Sequence, residues 1–270
     1  MSRIELSQIN LFPIKSCRGI SLEGAELDRR GLAQDRRWML VNDQGQFVTQ
    51  RQLSKMSLIN TQMTKEQVIV SFPGMDSLTL PLQIGNGREA QVRVWEDDCL
   101  ALEAGHEVNQ WFSHALGQDL RLVYMPDSTE RQVDPDYAQE SNITSFSDGF
   151  PLLIISEASL EDLNDRLEEP LTMSRFRPNL VVRGCPAYAE DNWTRIRIGD
   201  IEFDVVKPCS RCIVTTINPD TGERSTDSEP LRTLSLYRKK GNKVYFGQNL
   251  IHRDTGKLEI GASIEVLDQA

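Results

Sequence analysis

The chain has 270 residues, 39% apolar and 26% charged, the make-up of an ordinary soluble globular protein with one or two domains. Asp and Glu outnumber Lys and Arg by 40 to 30, and the net charge of −10 works against counterion-driven binding to nucleic acid. No apolar run approaches the ~18–20 residues that span a bilayer, and MSRIELSQINLF has no signal layout, so no membrane partner and a cytoplasmic location are expected.

Taken in chain order, the pattern is mostly strands. WMLVND and FVTQRQ flank Gln44-Gly45 and predict a hairpin; VIVSF, LTLPLQI and AQVRVWE follow, separated by turn residues. HEVNQWFSHALG predicts a helix, with Val108, Trp111, Phe112 and Ala115 on one face and Gly117 as its stop. LRLVYM is the next strand. The polar stretch from Pro126 to about Ser147 is too long for a plain connection and reads as a linker or a functional loop.

PLLIIS then predicts a strand and SLEDLNDRL a helix, with Ser159 and Asp162 as its capping box and Leu160, Leu163 and Leu167 as its apolar stripe. LVVRG, TRIRI, IEFDVV, CIVTTI, KVYFG and SIEVL complete a strand-rich second half. Short, regularly spaced strands with few helices predict a mainly β fold of barrel type, divided into residues 1–125 and 126–270.

Five scattered cysteines make an odd number and do not resemble a secreted disulfide framework. The three histidines form no HxH or HExxH spacing, which argues against a histidine-based zinc enzyme. Cys209-Ser-Arg-Cys212 is left with several readings. A thioredoxin-like pair opens a helix, whereas Cys212 runs into the β-branched Ile213–Ile217. A structural zinc needs four ligands, and no second CxxC is present. Small buried core residues remain open, although Lys207, Ser210 and Arg211 sit poorly with apolar burial. A single thiolate beside Arg211 suits a soft metal that carries its own anionic cofactor.

CSRCIVTTINPDTGE closely resembles the signature of the MOSC family, and the resemblance extends over nearly the whole chain. FPIKSCRG (Phe12–Gly19), DRRWMLVNDQGQFVTQRQ (Asp35–Gln52), SDGFPLLIISEASLEDLN (Ser147–Asn164), FRPNLVV (Phe176–Val182) and YAEDNW (Tyr188–Trp193) occur in the order found in the amidoxime-reducing, YcbX-like subgroup. The resemblance implies a MOSC β-barrel packed against an N-terminal MOSC-associated β-barrel. It implies molybdenum held by a pterin dithiolene and by Cys212, with Cys209 in support. It places Lys15, Ser16, Arg36, Arg177 and Asn179 on the pterin and its phosphate, and Ser210 and Arg211 beside the thiolate. On residue type alone, Lys15 and Arg36 read equally well as solubilising surface charges. Asp148 matches an acidic position near the metal, where it would relay protons; as a residue before Gly149 it also reads as a turn aspartate.

The implied activity is a molybdenum-cofactor-dependent oxidoreductase. It would take N-hydroxylated compounds (hydroxylamines, hydroxylaminopurines, amidoximes) to amines with two electrons and two protons. The chain has no C-x4-C-x2-C spacing of a plant-type [2Fe–2S] domain, so a separate flavin or iron–sulfur electron donor is expected. Two rivals follow from the same residues: a cofactor or sulfur carrier without its own catalysis, and a metal-free thiol protein that uses Cys209 and Cys212 as a disulfide pair.

Overall fold

The computed structural model describes residues 3–139 and 141–270. Its largest element is a nine-stranded sheet built from distant parts of the chain. Across it lie Ile20–Leu22, Glu5–Leu11, Leu180–Arg183, Leu152–Ser156, Lys243–His252, Ile201–Arg211, Trp193–Ile198 and Ile264–Gln269, with the short Lys239–Lys240 paired to Lys243–Val244. All its pairings are antiparallel except Leu152–Ser156 with Leu180–Arg183, which the helix Glu157–Asn164 separates in sequence. One face buries Leu6, Ile9, Ile154, Leu180, Ile196, Phe203 and Leu250. The opposite face of the same strands packs Ile155, Val181 and Phe246 against Leu163 and Leu234 of two helices. Burial on both faces explains the runs LLIIS and LVV, which are apolar without alternation.

A second body of strands holds Trp38–Val41, Arg121–Tyr124, Asp97–Glu103 and Glu89–Val94 in one sheet, and Asn60–Met63, Gln67–Ser71 and Leu78–Pro81 in another. Trp38, Leu40, Val68, Val70 and Phe112 fill the space between them. Three α-helices are present among the described residues, so the mainly β expectation is met, including a barrel-like N-terminal portion.

Helix His106–Leu116 stops at Gly117 as expected, its φ of 69° being the left-handed conformation glycine adopts without a Cβ penalty. Other local expectations change. The second helix is capped by Ser156, whose hydroxyl accepts from the Ser159 N–H, so the cap lies three residues before the predicted Ser159. FVTQRQ makes one bridge, Phe47 to Val41, and then leaves the sheet as a loop. Ile213–Thr216, predicted as strand, is a 3-10 turn. Its hydroxyls explain why: Thr215 donates to the Cys212 carbonyl and Thr216 to that of Ile213, local bonds that replace a ladder. Among the described residues no helix is long and apolar enough to cross a membrane.

Candidate active site

The fold gathers strand ends from both halves around one open cavity of about 150 Å³. Lys15 and Ser16 follow the strand Glu5–Leu11, and Arg36 precedes Trp38–Val41. Asp148 precedes Leu152–Ser156, Arg177 and Asn179 precede Leu180–Arg183, and Cys209–Arg211 close the strand Ile201–Arg211. Each of these, and Cys212, lines the cavity. It is lined by six cations, Lys15, Arg36, Arg51, Arg175, Arg177 and Arg211, against one carboxylate, Asp148. In a chain of net charge −10 this is a concentrated positive field aimed at an anion.

Two of the cations are paired with carboxylates, Arg36 with Asp35 and Lys15 with Asp148, and Arg51, Arg177 and Arg211 are held by rings, carbonyls and sulfur. The Arg36 and Arg177 guanidinium groups each lie 4.3 Å from the centre of the Phe12 ring. Arg36 pairs with buried Asp35, and its Nη1 donates to the Asn179 Oδ1 at 3.0 Å. Arg177 donates to the Cys17 carbonyl at 2.7 Å. Burial, with Arg36 close by, lowers the Arg177 pKa to about 10. Burial likewise pushes the Asp35 carboxyl up while Arg36 opposes it, and lifts the Cys17 thiol to about 12. Asn179 accepts from Arg36 and the Leu153 N–H and donates to the Asn10 carbonyl, so it orients Arg36 and clamps two strands together.

Lys15 is buried, and its Nζ donates to the Phe146 carbonyl and to Asp148 Oδ1, both at 2.7 Å. Desolvation lowers the Lys15 pKa from 10.5 to about 8, with Asp148 opposing. For Asp148 desolvation acts upward, yet Lys15, Arg51 and Arg36 together hold the carboxyl well below the usual range. The 71% exposure of that side chain to the cavity favours the same ionised form. The polar stretch before it supplies the support. Buried Arg131 donates to the carbonyls of Ser145, Ser147 and Asp148 and pairs with Asp97.

Among the described residues, four of the seven non-glycine residues with left-handed φ belong to this region: Ser16 at 65°, Arg36 at 48°, Trp95 at 56° and Arg177 at 55°. Backbone in that region costs roughly 1–3 kcal/mol per residue and persists where surrounding structure enforces it.

Cys212 lies just beyond the last strand residue, half-buried, with its Sγ accepting from Arg51 Nη2 at 3.3 Å. Arg51 stacks on Trp95 at 4.5 Å, and the Trp95 Nε1 reaches Asp148 at 3.4 Å. Cys209 instead accepts from Arg211 at 3.0 Å and packs against the helix-side core. Among the described residues no three His, Cys, Asp or Glu side chains cluster as metal ligands. A metal at Cys212 would therefore bring most of its own ligands, and the donor set suits that: one soft thiolate, with cations spaced for oxyanions. Arg51, Trp95, Arg131 and Arg175 were not singled out as site residues from sequence, although Arg51 and Arg175 sit in or beside the quoted motifs.

Comparison with known proteins finds two family matches along the chain. Residues 3–119 match the MOSC N-terminal beta barrel domain, and residues 142–265 match the MOSC domain. The chain belongs to the MOSC family. Its MOSC relatives include mitochondrial amidoxime-reducing component 1 of Mus musculus, 36% identical over 98% of this chain and 82% of the relative. The Homo sapiens component 1 is 35% identical over 98% and 83%, and the Bos taurus component 2 is 37% identical over 86% and 72%. These relatives are named as mitochondrial proteins, which overturns the expected cytoplasmic location. That expectation rested on composition and the pattern of the first residues, neither of which reports a compartment.

Proposed function

We propose that this MOSC protein reduces N-hydroxylated compounds, amidoximes and hydroxylamines among them, to amines at a molybdenum cofactor bound through Cys212. The observation that carries the reading is the cavity itself, where six cations and one carboxylate surround a thiol that faces open space. The names of the relatives supply the reaction class. When bound, the cofactor supplies the two-electron chemistry that removes oxygen from the N–OH group.

The chain's own residues do the rest. Cys212 provides a thiolate ligand, and the Arg51 N–H fixes the direction of its sulfur. Lys15, Ser16, Arg36 and Arg177 hold the pterin and its phosphate, the lysine as a point charge and the arginines as planar forks. Asn179 keeps Arg36 in place, and Ser210 and Arg211 flank the thiolate. Asp148, ionised beside Lys15, accepts a proton from solvent and passes it toward the departing oxygen. In this reading residues 1–125 form the N-terminal unit and residues 126–270 the unit that bears the thiolate, and a separate flavin or iron–sulfur protein delivers electrons.

The test is turnover of benzamidoxime and 6-hydroxylaminopurine by molybdenum-loaded protein with dithionite as reductant, the amine being measured by chromatography. Amine formation is expected. Molybdenum-loaded protein that forms none of either amine would favour the carrier role.

A further inference from the structure

The chain holds 40 acidic residues, yet none falls in the 24 residues between Glu229 and Asp254. That segment carries the helix Leu231–Tyr237 and the hairpin formed by Lys239–Lys240 and the start of Lys243–His252. Lys239, Lys240 and Lys243 are exposed, and among the described residues none of the three forms an ion pair. Other cations of the segment are neutralised: Arg232 by Glu229, Arg238 by Asp191 and Arg253 by Asp204.

The location of these lysines gives the patch its meaning. Lys239 pairs with Val244, and Val244 pairs on its other side with Arg211, the residue before Cys212. Two strand spacings of roughly 4.8 Å put the Lys239 backbone about 10 Å from that of Arg211. The helix Leu231–Tyr237 also packs against the turn Ile213–Thr216 that follows Cys212. Both elements carry an uncovered apolar side chain, Leu236 at 82% exposure and Ile213 at 42%. An apolar centre within a polar, solvent-accessible rim is how protein interfaces are built.

We propose that the Lys239–Lys243 hairpin, with Leu236 and Ile213, is the docking face for an acidic one-electron carrier protein that reduces the centre at Cys212. This rests on the reductase reading above and names the surface through which its electrons arrive. Conversion of N–OH to N–H plus water takes two electrons and two protons, so two successive encounters with a one-electron carrier complete each turnover. On a chain of net charge −10, the three unpaired lysines beside the thiolate give such a carrier a local attractive approach.

The probe is a plant-type [2Fe–2S] ferredoxin, an acidic protein, titrated into the holoprotein by calorimetry at low ionic strength and at about 0.5 M salt. Wild type is expected to bind at low salt and release at high salt, where the screening length falls to a few ångströms. Lys239→Glu/Lys240→Glu/Lys243→Glu is expected to weaken binding and ferredoxin-driven reduction roughly tenfold or more, and Leu236→Ser to weaken both severalfold. Dithionite-driven turnover should stay at the wild-type value in both variants. Equal ferredoxin binding by the charge-reversed variant, or no low-salt binding by wild type, overturns the docking face. Failure of dithionite-driven turnover in wild type counts against the reductase reading, and the binding titration still decides the docking face.

Discussion

Arg51 Nη2 donates to Cys212 Sγ at 3.3 Å, joining a loop of the MOSC N-terminal domain to the cysteine that follows a strand of the MOSC domain. Arg51 is also stacked on Trp95, which itself reaches Asp148. The thiol therefore has its direction set by a residue 161 positions away in sequence. A hydrogen bond involving a charged group contributes about 1.5–3 kcal/mol. Arg51→Gln is expected to lower kcat about ten- to hundredfold while leaving the melting temperature close to wild type. Unchanged kcat in steady-state assays would remove Arg51 from the account.

The Lys15–Asp148 pair predicts a pH dependence whose sign is fixed. Burial lowers Lys15 to about 8, and Asp148 opposes that shift. Below this pH the cavity keeps its full positive charge; as pH rises through about 8 it loses one cation. Phosphate binding by apoprotein, followed by calorimetry, should weaken above that value. Asp148→Asn removes the group that raises Lys15, so the weakening should begin at lower pH. Stability moves the other way: between about 8 and 10.5 the unfolded chain holds the proton that the folded chain has released, so this lysine adds stability as pH rises.

Asp148 makes a second pH prediction. Lys15, Arg51 and Arg36 outweigh desolvation and keep its carboxyl ionised well below the usual carboxylate range. Turnover of an amidoxime should show no acid limb from this residue at or above about pH 4, the ordinary aspartate value. An acid limb near pH 5 that disappears in Asp148→Asn would show a protonated donor instead.

Buried Arg131 ties three carbonyls of the Ser145–Asp148 loop. Leaving a buried polar group without its partner costs roughly 1–3 kcal/mol. Arg131→Met should lower unfolding stability by at least that amount in a urea titration and raise KM through a displaced Asp148. Wild-type stability together with wild-type KM would contradict the role given to this arginine.

Much of the site was legible because the quoted motifs sit at strand ends, where a short sequence carries both the turn and the functional side chain. PIKS, DRRW, FRPN and CSRC each put their polar residues on the wall of one cavity. What escaped was set by distance. Nothing local to Arg51 shows that it meets Cys212, and nothing in WED shows that Trp95 takes a left-handed backbone beside Asp148. The fold shows the same division. Alternating or continuously apolar runs gave the strands, but the pairing of Glu5–Leu11 with Leu180–Arg183 is a long-range event without a local signal. Ile213–Thr216 misled in the opposite way, since β-branched residues predict strand until the threonine hydroxyls bond back to their own turn.

The most direct measurement is molybdenum content, by elemental analysis, of wild type, Cys212→Ser and Cys209→Ser purified from the same molybdenum-replete host. Molybdenum and amidoxime reduction are expected in wild type and Cys209→Ser, and loss of both in Cys212→Ser. A Cys212→Ser protein that is folded, keeps its molybdenum and still reduces amidoximes would contradict Cys212 as the ligand.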